Sequence, residues 1–435
     1  MAQFRVCSRR RFLKGTAVGA GALIFPTIVP RSVLGAGRRG APSNRIVMGA
    51  VGLGGMGSGN LGAFLGQNDC QVVAVCDVDR NHANNAKNSV DGRYKNQDCK
   101  VYTDFRELMA RDDIDAISLA TPDHWHAAVG IAAARSGKDV YGEKPFTHDL
   151  REGRALVEAL KQHGRVWQTG SWQRSVDNFR WGCEMVLNGR IGKVHTVEVG
   201  LPTGGGGGSE QFCDPPAHLD YEMWIGPSPW APYSKDRTHW NWRWQLDYGG
   251  GQLMDWIGHH ADIAQWGLGM DRTGPVEFEP VNVEFPKEGL YNAATTYKFI
   301  GTYANGVRIV VANDRQVPKG MGTRWIGDRG WIFVDRGRTD ADPKSLLKET
   351  VRPDEINLLR SPGHHRNFLD CVKSRRETLT PAEAAHRSAS VGHVGLVSLM
   401  LGRKLKWDPN KEEVVGDPTA NAMLGRAKRP PWNQG

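Results

Sequence analysis

The sequence is poor in cysteine. It has 7 cysteines in 435 residues, and no two of them stand in a C-x-x-C pair. The paired-cysteine spacing of zinc ribbons and thioredoxin-like redox sites is therefore absent. Cys7 lies within the first 36 residues, and we expect the other six to be buried free thiols, because such thiols behave as small apolar side chains. The spacing leaves open whether any two of them form a disulfide.

The first 36 residues lack acidic side chains and also lack an apolar run long enough for a membrane span. A twin-arginine pattern, SRRRFLK, occupies Ser8–Lys14, and the apolar stretch Gly15–Val29 follows it. A spanning helix needs roughly 20 apolar residues, and Pro26 interrupts this shorter stretch. The pattern predicts a twin-arginine signal peptide over residues 1–36, cleaved near Ala36. We therefore expect the twin-arginine (Tat) export machinery as a partner, and a periplasmic mature protein without a stable membrane span.

Most of the excess positive charge belongs to this leader. The formal net charge is +9, and setting aside the six basic residues of the first 36 leaves +3 for the remainder. The remainder also has no long basic run. A nearly balanced surface of this kind argues against a nucleic-acid partner. The length of 435 residues predicts two or three domains.

A glycine-rich turn follows the first strong apolar run, and the two together have the sequence IVMGAVGLGGMG from Ile46. The turn has the G-x-G-x-x-G spacing, in which the glycines allow a tight turn, a close approach to a pyrophosphate and close helix packing. The next predicted strand, Gln71–Cys76, ends at Asp77, which stands 20 residues after Gly57. A carboxylate at that position hydrogen-bonds the adenosine ribose. The combination predicts a dinucleotide site.

Strand and helix patterns alternate after Arg45, with further strands at Ile114–Ala120 and Asp139–Gly142. This alternation predicts a doubly wound parallel sheet over residues 43–170. Ligands of such sheets bind beyond the carboxyl ends of the strands, so the residues that follow these two strands should border the cofactor. The predicted cofactor-binding residues are Gly52, Gly54, Gly55, Met56, Gly57, Asp77, Thr121, His126, Glu143 and Lys144.

The pattern changes after Ser175, where strands become longer and alternate in polarity. Ala304-Asn305-Gly306 between two of them has hairpin-turn chemistry. We expect a second, substrate-binding α/β domain over residues 171–405, with a large, mainly antiparallel sheet covered on one face. The five glycines from 204 to 208 predict a mobile loop. Residues 406–435 are predicted to form an extended C-terminal tail.

Lys144 lies between Glu143 and Pro145 at a predicted strand end. Most lysines are surface residues, so one interpretation is an ordinary turn lysine. The other is an ammonium group held at the cleft, where it donates to a substrate hydroxyl oxygen and stabilises charge as a carbonyl forms. The position at a strand end favours the second.

Asp255 and His259 follow a run of three glycines and stand at i, i+4 on a predicted helix, so they share a face. A carboxylate so placed can orient an imidazole and raise its basicity, which suits a general base. The alternative is a helix-surface pair that contributes tenths of a kcal/mol. A metal site formed with His260 and Asp262 is disfavoured, because adjacent histidines point about 100° apart on a helix. We therefore predict no metal.

Seven of the fifteen tryptophans fall between Trp224 and Trp266. Tryptophan fills cores as readily as it forms platforms for the apolar faces of sugar rings. Their density around Asp255 and His259 favours a carbohydrate cleft. The predicted substrate-binding residues are Gln173, Arg174, Trp256 and His260.

These motifs resemble those of the Gfo/Idh/MocA family, named for glucose–fructose oxidoreductase, inositol dehydrogenase and relatives. The resemblance covers nearly all of the chain after the leader and rests on Gly52 to Gly57, Thr121-Pro122 with His126, Glu143-Lys144-Pro145, and the glycine run into Asp255 and His259. It implies a Rossmann domain, an open-faced C-terminal sheet, and a homo-oligomer (dimer or tetramer) built through that sheet. It also implies that Lys144 and His259 act on a substrate hydroxyl with the assistance of Asp255. The exported subgroup, with a twin-arginine leader and a tryptophan-rich stretch, is the most similar, and exported members can hold the cofactor tightly.

We therefore expect a periplasmic NAD(P)-dependent oxidoreductase that transfers hydride between a nicotinamide and a sugar, glycoside or cyclitol hydroxyl. Asp77 favours NAD, because a 2′-phosphate would meet like charge, while Arg80 is close enough to leave NADP open. The alternative is an NAD-dependent glycoside hydrolase that works by transient ring oxidation and elimination with no net redox change. A third hypothesis, a nucleotide-loaded binding or sensor protein, is disfavoured by Lys144 and His259.

Overall fold

The structure is a computed structural model that describes residues 44–432. All elements named below belong to one compact unit that begins at Ile46. The predicted signal peptide at residues 1–36 lies outside the described residues. Across the part that is described, no helix combines the length and the apolar character that a membrane crossing requires.

Six strands form a fully parallel sheet in the order β3-β2-β1-β4-β5-β6. Their short apolar sequences are mostly buried, as expected for strands that are covered on both faces. The strands are β1 (Ile46–Val51), β2 (Cys70–Cys76), β3 (Lys100–Tyr102), β4 (Ala116–Leu119), β5 (Asp139–Gly142) and β6 (Trp167–Thr169). The connecting helices are α1 (Gly55–Leu65), α2 (Arg80–Tyr94), α3 (Phe105–Met109), α4 (Asp123–Arg135) and α5 (Leu150–Gln162). The predicted doubly wound sheet is confirmed.

Two helices begin inside the predicted motifs. Helix α1 begins at Gly55, because the glycine-rich turn itself forms the first helical turn. Helix α4 begins at Asp123, directly after Pro122. The residues that follow β4 therefore belong to a helix N-terminus.

A nine-stranded sheet follows in the order β13-β12-β11-β7-β10-β9-β8-β14-β15. Its strands pair antiparallel except for β7 and β10, which are parallel. The first five in chain order are β7 (Val194–Leu201), β8 (Glu277–Glu284), β9 (Thr296–Thr302), β10 (Arg308–Asn313) and β11 (Gly322–Gly327). The remaining four are β12 (Gly330–Asp335), β13 (Arg338–Asp342), β14 (Leu405–Asp408) and β15 (Glu413–Val414). The predicted large, mainly antiparallel sheet is confirmed, including the hairpin between β9 and β10, where Gly306 has a φ of 84°.

Helices cover one face of this sheet. They are α6 (Asp177–Leu187), α8 (Gly251–Leu268) and α10 (Ala382–Leu401), while α7 (Tyr221–Ile225), α9 (His364–Ser374) and α11 (Pro418–Ala422) lie elsewhere. Helix α10 also packs against α5 and β6 of the parallel sheet. It therefore joins the cores of the two sheets.

The C-terminal tail differs from the predicted extended chain. Strand β14 pairs with β8 of the large sheet, β15 pairs with β14, and α11 follows. Trp407 and Leu424 are buried in the core of the large sheet, so apolar side chains in the tail hold it against the body.

The cysteines agree with their predicted state except for Cys213, which was expected to be buried. The six cysteines of the described residues are free, and five of them are buried, while Cys213 is exposed.

Candidate active site

The glycine turn between β1 and α1 forms a close-fitting cradle. Gly52 has a φ of 78°, and a Cβ at this residue would lie 2.6 Å from the backbone of Ala120. A Cβ at Gly57 would lie 1.9 Å from the carbonyl oxygen of Gly52. By contrast, a Cβ at Gly54 or Gly55 would meet nothing within 4 Å. Two glycines thus close the turn, and two leave open space at a helix N-terminus, where N–H groups and the helix dipole favour a pyrophosphate.

Asp77 is fixed to this cradle. Its carboxylate accepts the backbone N–H of Leu53 at 2.6 Å and the backbone N–H of Asp79 at 2.8 Å. These bonds hold the carboxylate at the end of β2, beside the turn. The residues present therefore fit a dinucleotide, with Asp77 placed to accept from ribose hydroxyls.

A cavity of about 480 Å³ extends from the cradle to the N-terminus of α8. The predicted residues that line it are Gly52, Gly54, Gly55, Met56, Asp77, Thr121, Glu143, Lys144 and Asp255. Its outer wall is a segment that we call the strap, residues 218–248. The strap contributes Leu219, Met223, Trp224, His239, Trp240, Trp242 and Arg243 to the lining.

Lys144 and Asp255 meet in the cavity wall. The Lys144 ammonium donates to the Asp255 carboxylate at 2.7 Å and to its backbone carbonyl at 3.1 Å. Burial alone would lower the pKa of Lys144, but the Asp255 and Glu143 carboxylates outweigh it and raise the pKa above its usual value. Burial likewise opposes the charge of Asp255, yet Lys144 and Arg243 hold its pKa below the usual range. The pair is therefore ionic, with the proton on the lysine.

Glu143 supports the strand end that carries Lys144. Its carboxylate accepts the side-chain N–H of Asn60 at 2.9 Å, and a Cβ at Gly170 would lie 2.6 Å from it. Burial raises the pKa of Glu143, partly offset by the Lys144 charge.

His126 has a role different from the predicted cofactor contact. Its ring nitrogens lie 2.9 Å from the carbonyl oxygen of Thr121 and 2.8 Å from that of Pro145. The side chain is buried and lies outside the cavity lining. His126 therefore joins the loop after β4 to the loop after β5, next to the cavity-lining residues Thr121 and Lys144.

His259 lies one turn beyond Asp255 on α8 and is buried. The expected Asp255–His259 hydrogen bond is absent, because Asp255 bonds Lys144 and the His259 Nδ1 has no hydrogen-bond partner. Burial, followed by the charges of Lys144 and Arg336, holds the pKa of His259 well below its usual 6.5. The imidazole is therefore neutral at ordinary pH and can accept a proton, although Asp255 does not raise its basicity as the sequence suggested.

Arg174 is not placed to bind substrate as predicted. Its guanidinium is buried and forms paired hydrogen bonds with Asp262, at 2.7 Å for both, and with Asp271 at 2.8 and 2.9 Å. The Nε, Nη1 and Nη2 nitrogens of Arg174 thus all donate to these two carboxylates. The same pairing removes Asp262 from the metal set considered with His259 and His260.

The other predicted substrate residues, like His259 itself, are absent from the cavity lining. His260 is fully buried and stacks on Trp256, with ring centroids 5.7 Å apart and planes at 13°. Gln173 is also fully buried, and its side-chain oxygen and nitrogen have no partners. Substrate contact by these three residues stays a prediction.

Asp123, Trp125 and Arg243 are among the lining residues that were not named as predicted site residues. Asp123 and Trp125 line the cavity from the first turn of α4, and burial with the Asp255 charge raises the pKa of Asp123 well above its usual value. Arg243 of the strap lies 3.6 Å from the Asp255 carboxylate and stacks 3.9 Å from the Trp240 ring centroid. The Asp-His-Trp-His block after Pro122 was a usable signal for the first two, whereas Arg243 carried none.

Comparison with known proteins agrees with this arrangement. Residues 46–171 match the family model described as "Oxidoreductase family, NAD-binding Rossmann fold". Residues 206–434 match the model described as "Oxidoreductase family, C-terminal alpha/beta domain".

Individual relatives have low sequence identity to this chain, and one of them matches most of its length. Myo-inositol 2-dehydrogenase of Thermotoga maritima is 25% identical over 388 residues, which cover 85% of this chain and 99% of that protein. A glycosyl hydrolase family 109 protein of Shewanella baltica is 28% identical over 200 residues, covering 41% and 42% of the two chains.

Among solved structures, the WlbA dehydrogenase of Bordetella pertussis, in complex with NADH and UDP-GlcNAcA, has a TM-score of 0.61 at 17% identity. The match covers 84% of this chain and 99% of that one, and at this identity it shows the fold alone. The family models, by contrast, span both sheets, and they match the glycine cradle with the strand ends and the helix that carries Asp255. The chain therefore belongs to the Gfo/Idh/MocA family of oxidoreductases, with an NAD-binding Rossmann fold in residues 46–171.

Proposed function

We propose that the protein is an NAD(P)-dependent oxidoreductase that acts on a hydroxyl group of a sugar, glycoside or cyclitol. The observation that carries the proposal is the Lys144–Asp255 ion pair in the wall of the dinucleotide cavity. A protonated amine at this place can stabilise the oxygen of a hydroxyl as it becomes a carbonyl. The relation to myo-inositol 2-dehydrogenase supports a polyhydroxylated substrate.

The residues divide the work on an alcohol between them. Lys144 donates a hydrogen bond to the substrate oxygen, and Asp255 holds the ammonium in place. Neutral His259 accepts the hydroxyl proton. A nicotinamide held by the glycine cradle would supply the hydride acceptor. The alcohol carbon would thus become a carbonyl as its hydroxyl proton goes to His259 and its hydride to the cofactor, and the reverse sequence would reduce a carbonyl.

The test replaces Lys144 by Met and, separately, His259 by Ala. A panel of sugars and cyclitols is screened with the wild type, and turnover is followed by the absorbance of reduced nicotinamide. We expect kcat to fall by about 10²–10⁴ in each variant, the usual contribution of a positioned acid, base or oxyanion donor. Lys161→Met and His163→Ala are matched controls, because both residues are exposed and lie away from the cavity. Turnover within tenfold of wild type in both active-site variants would remove the assignments.

A second candidate function is redox-neutral glycoside hydrolysis. The relation to a glycosyl hydrolase family 109 protein favours it. In this reaction, oxidation at a ring carbon acidifies the neighbouring C–H, and elimination breaks the glycosidic bond. Water then adds to the resulting double bond, and return of the hydride to the carbonyl restores the cofactor. Release of free sugar from an aryl glycoside, without accumulation of NADH, would support it over net oxidation. It uses the same Lys144 and His259.

We further propose that NAD is the preferred cofactor and that it is held tightly. The carboxylate of Asp77, fixed by two backbone N–H groups, opposes a 2′-phosphate. The strap covers the cavity and is tied to the Rossmann fold by backbone hydrogen bonds of Arg80 to His218 and of Asp220 to Val78, both 2.9 Å. Absorbance spectra and mass spectrometry of the purified protein test whether nucleotide co-purifies and whether it carries the phosphate.

Export and oligomerisation belong to the same proposal. The twin-arginine pattern supports passage to the periplasm, which fractionation of cells expressing the full chain would test.

The face of the large sheet opposite α8 and α10 carries half-buried Ile300 and Val310, beside the Glu198–Arg324 ion pair. We propose that this face forms a homo-oligomer. Light scattering should show a dimer or tetramer, and Ile300→Asp should shift it toward monomer.

A further inference from the structure

A cluster of metal-ligating side chains lies at the outer end of the cavity, away from Lys144. One carboxylate oxygen of Asp79 and one ring nitrogen each of His82 and His239 lie within 4.8 Å of one another. Asp79 caps the N-terminus of α2, His82 lies in its first turn, and His239 belongs to the strap. The cluster therefore joins the Rossmann fold to the strap next to Asp77.

The Asp79 carboxylate divides its two oxygens. Oδ1 accepts the backbone N–H of Asn81 at 2.8 Å as a helix cap. Oδ2 lies 3.7 Å from Nε2 of His239 and also 3.7 Å from Nε2 of His218. These distances are too long for hydrogen bonds. They are close to the separation of about 3.4 Å that two ligands have on one tetrahedral zinc ion with bonds of about 2.0–2.1 Å.

His82 lies beside the Asp77 carboxylate. Its Nδ1 is 3.8 Å from Oδ2 of Asp77, longer than a hydrogen bond, and its Nε2 lies on the opposite side of the ring. Metal-binding histidines regularly present their other nitrogen to a carboxylate, which sets the tautomer and the ring plane. His82 and His239 contact each other edge to face, with centroids 5.3 Å apart, so their rings already converge.

His239 is held in an uncommon backbone conformation. His239 has a φ of 52°, in the left-handed region that costs a non-glycine residue free energy. His218 is anchored at the same place, because its carbonyl accepts the N–H of Arg80 at 2.9 Å. Both strap histidines are partly exposed, so their rings can rotate the short distance that closes a coordination shell around Asp79.

We propose that Asp79, His82 and His239, with His218 as a fourth ligand, bind a divalent transition metal such as Zn²⁺, and that the metal fastens the strap over the adenosine end of the cavity. Imidazole nitrogens with one carboxylate oxygen form a donor set that zinc accepts. The metal takes no part in the chemistry at Lys144. Its removal frees the strap, so it speeds release of the cofactor and does not change the reaction. Metal binding itself is independent of the proposed function. Only the second measurement, the rate at which the cofactor is released, requires a bound dinucleotide.

The metal itself is tested with Co²⁺ on protein stripped by a chelator. We expect one equivalent to bind with a dissociation constant below about 10 µM and to give the intense visible bands of a four-coordinate cobalt ion. His82→Ala and His239→Ala should each weaken binding at least tenfold. His195→Ala is the control, because His195 is exposed on β7 and absent from the cavity lining. Binding unchanged in both cluster variants, or no binding at 100 µM, would overturn the proposal and leave these residues as walls of the adenosine pocket.

The fastening role is tested by the rate at which bound NADH leaves, followed by its fluorescence during a chase with NAD. We expect Zn²⁺ to slow release at least fivefold in the wild type and in His195→Ala, and to have no effect in His239→Ala. Far-ultraviolet circular dichroism of each variant separates loss of the site from loss of the fold. If the wild type or His195→Ala binds Co²⁺ but releases NADH at a rate that Zn²⁺ does not change, the fastening role is contradicted.

Discussion

At the scale of single residues, the glycines of the first turn show how one type of residue serves two purposes. Gly52 and Gly57 are required by neighbouring backbone atoms, whereas Gly54 and Gly55 face empty space. A substitution by alanine can therefore test ligand binding without disturbing the fold only at Gly54 and Gly55, because a methyl group there meets no protein atom.

Gly55→Ala should therefore fold normally and lose cofactor affinity by tenfold or more, because the added methyl group occupies the space beside the helix N-terminus. Gly59→Ala is the matched control, since it lies on the same helix, meets nothing within 4 Å and is outside the cavity. The control should keep its affinity and gain about 0.5–1 kcal/mol of stability from the helix preference of alanine. Isothermal titration with NAD and a thermal melt measure both effects. Equal affinities in the two variants would place the pyrophosphate elsewhere.

The titration of the proposed catalytic pair, Lys144 and His259, gives a prediction for the pH profile of activity. His259 must be neutral to accept a proton, and its pKa lies well below 6.5, so it remains neutral as the pH falls through 6.5. Lys144 must be protonated, and its pKa lies above 10.5. We expect kcat/KM for alcohol oxidation to stay flat between these limits, with an acid limb that begins below pH 6.5. The acid limb should be absent from the residual activity of His259→Ala. A wild-type midpoint at or above 6.5 would exclude His259 as the base.

At the scale of elements, ion pairs join α5, α10 and the loop before β15. Arg154 of α5 lies 2.8 Å from the Glu383 carboxylate and 2.6 Å from that of Glu412. Glu412 also contacts His386 at 2.8 Å. Burial by itself would raise the pKa values of both glutamates, but hydrogen bonds from Arg154, with Arg387 on Glu383 and His386 on Glu412, lower each to about 2. The network therefore fastens the first half of the chain to the last.

Arg154→Met should lower the free energy of unfolding by about 1–2 kcal/mol at neutral pH, a value discounted for the partial exposure of the arginine. Because the folded pKa values are depressed, the stabilisation is present above the unfolded pKa of about 4.5. It is lost as the pH falls toward 2. The difference between wild type and variant in urea denaturation should thus shrink from pH 6 to pH 3. Lys161→Met, an exposed change on the same helix, is the control. A pH-independent difference would mean that packing, rather than charge, is lost.

The elements also show which parts of the structure the sequence determines locally. Strand ends, the glycine turn and the position of Lys144 follow from patterns of a few residues, and these were predictable. The partner of Asp255 was not predictable. Helix spacing places His259 at i+4 from Asp255, but the group that actually bonds Asp255 is Lys144, which belongs to a distant part of the chain. The strap was missed for the same reason, since its contacts with Asp79 join distant segments. The sequence around Arg174 likewise does not indicate that its guanidinium forms ion pairs with Asp262 and Asp271, which are distant in the chain.

At the scale of the whole molecule, the parallel sheet does not complete its core alone. Phe368 of α9 packs against Phe64 and Tyr141, with ring centroids 6.0 and 5.8 Å apart. Ala385 and Ala389 of α10 lie in the same core as Phe146 and Trp167. These helices come late in the chain, between β13 and β14 of the large sheet. The two sheets are therefore expected to unfold together.

A pair of core substitutions tests this coupling in the full chain. Phe368→Ala removes a fully buried ring beside the parallel sheet, and Phe299→Ala removes one inside the large sheet. Each should cost about 3–5 kcal/mol and lower the midpoint of the same single transition in differential scanning calorimetry, because α10 packs against both sheets. Phe212→Ala, at a residue that is 53% exposed, should leave the midpoint unchanged. If the wild type shows two transitions and each variant moves a different one, the shared helix does not couple the sheets, and the parallel sheet with α9 folds as an independent unit.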